Sequence, residues 1–129
     1  MKKVIFSLIL LAVMLTLTVT GCKKHADTSI PVRISYFDIR PQVIGDNETA
    51  WITVAVSDME NNVVLVKSLS DYGMTNPAVT STTGNPVYIE YIPPDLDPGQ
   101  SQRVNITIMV TDLDGKELDR VEGFITVED

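Results

Sequence analysis

A chain of 129 residues with ten basic residues, seventeen acids, one histidine and one cysteine has room for one domain. Its net charge of −7 repels nucleic acid and anionic lipid surfaces, which excludes a DNA- or RNA-binding role. One histidine and one cysteine supply neither a Cys/His zinc site nor a Ser-His-Asp or Cys-His catalytic arrangement.

The first segment stands apart from any fold. Met1, Lys2 and Lys3 make a basic start, and residues 4–19 are apolar and uncharged. Such a run is short for a bilayer span, which needs about 20 residues. Basic start, apolar run and small residues read as a secretory signal peptide over 1–21. The alternative is a retained transmembrane helix. The segment ends Val19-Thr20-Gly21-Cys22, which resembles the lipobox of bacterial lipoproteins: an aliphatic residue, two small ones and a cysteine. The resemblance implies that Cys22 receives a diacylglycerol thioether, that the chain is cut ahead of it, and that the new amine is often acylated.

Chemistry agrees with this. A lone cysteine in an exported chain has no partner for an intramolecular disulfide, and two or three acyl chains make a durable anchor where one does not. A free or dimer-forming cysteine is the alternative. Removing residues 1–21 takes away Lys2 and Lys3 and no acid, leaving eight basic residues against seventeen acids, a net charge of −9. Lys23 follows the cysteine, where in enteric bacteria an Asp retains lipoproteins in the inner membrane. By resemblance this favours the outer membrane in a Gram-negative cell, and otherwise the outer face of the cytoplasmic membrane.

Residues 23–31 are polar and without periodicity. With Cys22 they read as a lipidated tether that spans at most roughly 30 Å. Residues 32–129 form the domain. There the pattern has a period near two, broken by turn residues every ten or so positions, as in a sandwich or barrel. A strand over 32–39 sets Val32, Ile34 and Tyr36 on one face and ends at Pro41, and Gly45-Asp46-Asn47-Glu48 turns the chain. A strand over 50–57 points Ile52, Val54 and Val56 inward and Trp51 and Thr53 outward. Over 62–68, Val63-Val64-Leu65-Val66 is apolar on both faces, as in a central strand.

Residues 69–85 are rich in Ser, Thr, Asn and Gly and hold at most one short strand, near 78–82. A strand over 86–92 alternates Val87, Ile89 and Tyr91, and a loop runs from Pro93 to Gly99. Val104, Ile106, Ile108 and Val110 then share one face of a strand, with Arg103, Asn105, Thr107 and Thr111 on the other. Asp114-Gly115 signals a hairpin, and a strand over 118–127 closes the domain.

About seven short strands fit a single immunoglobulin-like antiparallel β-sandwich. From Val54 onward the order of features resembles the immunoglobulin-like and fibronectin type III-like modules of bacterial extracellular proteins. Val56-Ser57-Asp58 ends one strand in an acidic turn, a valine-rich strand follows, and Asp112-Leu113-Asp114-Gly115 leads into the last strand at Gly123–Val127. The cysteine pair of antibody domains is missing. A small open barrel is the alternative.

That fold places the turn after residue 57 and the turn over 112–117 at one end. Asp58, Asp112 and Asp114 are then candidate Ca²⁺ ligands, as hard oxygen donors, beside Glu60 and Glu117. Ordinary turn chemistry is the competing explanation. The opening Asp112-Leu-Asp-Gly also resembles an EF-hand loop, but Glu117 comes too early to close one. His25 lies in the tether, away from any fixed partner, and no other cofactor is expected. Carboxylates alone leave a carboxylate-dependent hydrolase as a remote alternative, although so small a sandwich lacks the usual cleft.

The tether enters at the acidic end. The 93–99 loop, the 45–48 turn and most of 69–85 are expected at the other, where exposed Tyr72, Met74, Tyr88 or Tyr91 form a contact patch or, as the competing reading, some of them close the sandwich edge. The sequence thus points to a membrane-anchored, non-catalytic envelope lipoprotein whose domain binds another envelope protein or an extracellular polymer. The alternative is a structural or Ca²⁺-stabilised spacer.

Overall fold

The computed structural model describes residues 31–57 and 62–129. The signal segment, Cys22, Lys23, His25, Asp58 and Glu60 lie outside them. Nine strands form among the described residues, two more than the alternation marks.

β1 (Arg33–Arg40) pairs antiparallel with β3 (Ala50–Ser57), but its register jumps between Ile34 and Tyr36 and leaves Ser35 without a Cα partner. One extra residue reverses which side chains face in. The expected Val32–Ile34–Tyr36 face therefore breaks. Phe37 and Ile39 take over the inward positions, and Tyr36 is 49% exposed. After the Arg40–Pro41 cis peptide, β2 (Val43–Gly45) changes sheet and runs parallel to the end of β9 (Glu117–Glu128). This is the one parallel pair among the described strands, and the antiparallel expectation did not include it. Glu48 N–H then donates to the Gly45 carbonyl at 3.1 Å and completes the expected turn.

β3 follows its alternation closely: Ala50, Ile52, Val54 and Val56 are buried, and Trp51 faces out. β4 (Val64–Ser70) lies inside its sheet, between β8 (Ser101–Thr111) and β6 (Val79–Thr82). Only one of its faces is buried, through Val64, Val66 and Ser68, while Leu69 on the other is 58% exposed, as in an antiparallel sheet with one solvated face. β5 (Met74–Asn76) adds a short edge to β7 (Val87–Ile92). The result is two layers, β1-β3-β7-β5 against β2-β9-β8-β4-β6.

The core between the layers is aliphatic. Val104, Ile106, Ile108 and Val110 from β8 meet Ile52, Val54, Ile89 and Tyr91 from the facing sheet, all fully buried. Each such side chain contributes roughly 1.5–3 kcal/mol of burial, so this face of β8 is the spine of the domain. Two contacts close the side where β1 meets β9. Asp119 Oδ2 accepts the Ile34 N–H at 2.7 Å. The Phe37 ring lies on Gly123, where an added Cβ would stand 2.7 Å from a ring carbon. Elsewhere the open edge of β9 carries Glu117, Arg120 and Glu122, charges that discourage pairing with a stray strand.

Candidate binding face

Arg33 pairs with Ser57, and Val32, Asn62, Val63, Asp112, Leu113 and Leu118 line one cleft of about 500 Å³. The domain therefore begins at the end that carries the 112–117 turn. At the opposite end, Asp129 N–H donates to Gln100 O at 3.0 Å, Gly99 N–H to Asp129 Oδ2 at 2.7 Å, and Leu96 N–H to Asp46 Oδ2 at 3.1 Å. These bonds tie the C-terminus, the 93–100 loop and the first turn together.

Within the hairpin, Asp112 Oδ1 accepts the N–H groups of Asp114 and Lys116 at 3.0 and 2.9 Å. Gly115 adopts φ +90°, a conformation suited to glycine. Glu117 Oε1 takes Arg120 Nε at 2.7 Å. Asp112 is thus engaged in turn chemistry. Among the described residues no group of three or more His, Cys, Asp or Glu is placed to hold a metal. Asp58 and Cys22, the other residues assigned a role, lie outside the described set.

The expected contact patch does not form as one surface. Tyr91 shares the inward phase of Val87 and Ile89, is fully buried, and donates its hydroxyl to the Tyr72 carbonyl at 3.0 Å. Tyr72 and Met74 stay near the far end, since Met74 pairs with Ile92. Segment 69–85 does not remain there. It returns along β6 until Thr82 faces Val64, close to the end where the chain enters. Tyr88 lies on the outer face of the four-stranded sheet, opposite Thr53.

That outer face brings together residues the sequence kept apart. Asn76, Glu90, Trp51 and Arg40 form one row across its four strands. Tyr88, Thr53 and Asp38 form the next, and Ala55 and Tyr36 the one beyond. Trp51 is 51% exposed and Tyr88 62%. Arg40 pairs with Asp38 on the same face. The outward phase of Trp51 was visible in the alternation of its strand. The position of Tyr36 was not, because the bulge at Ser35 reverses it.

Tyr88 also forms the rim of a cleft of about 460 Å³ between β6 and β7, lined by Thr80, Ser81, Thr82, Thr83, Asn85 and Pro86 among others. Among the described strands β7 has one neighbour here, β3, because β5 reaches no farther along it than Glu90. The opposite sheet offers a different surface. Its half-exposed Phe124 lies beneath the Arg103 guanidinium, 3.9 Å from the ring centre, a cation–π contact made within the chain.

No protein-family model matches this chain, and no curated protein matches it. Solved structures do. The D0-D1 domain of intimin superposes with a TM-score of 0.59 and 13% identity over 80% of this chain. The E. coli chaperone DraB gives a TM-score of 0.49 at 13% identity over 74% of this chain and 54% of that one. The ASH/PapD-like domain of human CEP192 gives 0.45 at 10% identity, over 74% and 86% of the two chains. This chain spans about half, 51%, of the intimin structure. The likeness to intimin shows the fold alone: an immunoglobulin-like β-sandwich.

Proposed function

We propose that this chain is a membrane-anchored, non-catalytic envelope lipoprotein whose immunoglobulin-like domain binds another envelope protein or an extracellular polymer. Lipid on Cys22 supplies the anchor, and residues 23–31 the short tether. The observation that carries the binding role is the outer face of the four-stranded sheet, where Tyr36, Trp51 and Tyr88 stay half-exposed on a domain whose interior is filled with aliphatic side chains. Exposed aromatic clusters of this kind mark contact surfaces. The non-catalytic reading draws support from the same filled interior and from Asp112, whose carboxylate is engaged in its own turn.

A spacer with no specific ligand is the rival. Capture from detergent-solubilised envelopes separates the two, using the full-length chain and a Trp51→Ala/Tyr88→Ala variant as baits. A protein or polymer retained by the first and lost by the second is expected. Identical recovery by both, or nothing specific by either, would favour the spacer. An EDTA-dependent fall in the melting midpoint would identify its Ca²⁺-stabilised version.

A further inference from the structure

We propose that the outer face of the four-stranded sheet binds a neutral, β-linked glycan chain, which stacks on Trp51 and Tyr88 and continues into the hydroxyl-lined cleft beyond Tyr88. The inference rests on the chain being an envelope binding module and names the ligand class of that module. Charge is the first argument. Among the described residues the face carries Arg33 and Arg40 against Asp38 and Glu90, a formally neutral set on a chain of net charge −7. A neutral partner suits such a face, and polyanions are repelled by the rest of the molecule.

The second argument is how the rings are interleaved. Protein interfaces gather aromatics in a dry, apolar centre. Here Glu90 and Arg40 flank Trp51, while Thr53 flanks Tyr88. With strands about 4.8 Å apart and a rise of about 3.3 Å per residue, Trp51 and Tyr88 stand roughly 8 Å apart, and Tyr88 and Tyr36 roughly 12 Å. Pyranose rings present flat C–H faces to aromatic rings and equatorial hydroxyls to the polar side chains between them. An extended ribbon of such rings matches a flat face built this way.

The cleft supplies the third argument. Ser81, Thr83 and Asn85 are exposed there, and among the described residues the tyrosine hydroxyl of Tyr88 is the only ionisable side chain in its lining. Uncharged hydroxyl and amide groups beside an aromatic rim form a hydrogen-bonding surface for a polar, uncharged ligand.

Trp51 is the one tryptophan in the chain, so its emission reports on this face without labelling. The full-length chain in a detergent without a sugar headgroup is titrated with chitohexaose, with cellohexaose, and with polygalacturonate as the anionic control. A saturable blue shift or quench with at least one neutral oligosaccharide is expected, and none with the polyanion. Tyr88→Ala should weaken binding about tenfold, as the loss of one stacking ring. Tyr72→Ala, at the far end, should leave it unchanged. Matching thermal melts show that both variants fold. Emission unmoved by either oligosaccharide, or a Tyr88→Ala variant that binds as well as the native chain, overturns the proposal. If envelope capture persists while emission stays still, the glycan falls and the binding module stands. Loss of both signals removes both.

Discussion

Thr111 and Tyr91 are both buried polar side chains, and they differ in whether a partner exists. Thr111 Oγ1 has no hydrogen-bond partner among the described residues, although the residue is 1% exposed. A buried unsatisfied hydroxyl costs free energy that an isosteric apolar group does not. Thr111→Val is therefore expected to raise stability by about 1 kcal/mol in urea unfolding, and a lowered midpoint would show that the hydroxyl is satisfied. Tyr91 is satisfied, through the Tyr72 carbonyl. Burial pushes its pKa up from 10.0 to about 12, and the Asp71 carboxylate adds to the effect. The stability held by the neutral phenol is intact below pH 10. It is lost as pH rises toward 12, because the unfolded tyrosine ionises first. Tyr91→Phe should cost about 1 kcal/mol at neutral pH, and its melting midpoint should fall less steeply than that of the native chain between pH 10 and 12. The inward phase of Tyr91 was legible from Val87 and Ile89, whereas the free hydroxyl of Thr111 depends on tertiary neighbours that alternation does not encode.

At the scale of elements, hydrophobic alternation located the long strands and failed where backbone geometry intervenes. β3 and β7 follow their period-two pattern residue by residue, and β8 does so as far as Val110; there its register against β9 shifts, and Thr111, expected on the outward face, is buried instead. β1 does not, because the bulge at Ser35 shifts the phase and exchanges Tyr36 for Phe37. β2 and β5 have three residues each, too few to show a period at all. The phase shift has a consequence across the sandwich, since it lays Phe37 on Gly123. Gly123→Ala should cost about 1–3 kcal/mol through overpacking. Combined with Phe37→Leu, the loss should fall short of the sum of the two single changes by at least about 0.5 kcal/mol. Additive losses would mean that the ring and Gly123 do not share that space.

For the whole molecule, the two-layer fold and the end at which the domain begins could be read from the sequence, because turn residues and alternation are local signals. The binding face could not. It joins Tyr36, Trp51 and Tyr88 from three strands through register, and register is set by the bulge and by the neighbouring sheet. The acidic hairpin shows the converse: Asp112 and Asp114 stood out in the sequence as metal candidates, yet Asp112 is bonded to its own turn. Above the domain stands the claim on which cellular location and function both depend, that the mature chain starts at a lipid-modified Cys22. Mass spectrometry of the N-terminal peptide from membrane-extracted protein tests it most directly. A peptide beginning at Cys22 with the added mass of a diacylglycerol, with or without an N-acyl chain, is expected. A peptide beginning at Met1, or an unmodified Cys22 thiol, would contradict it.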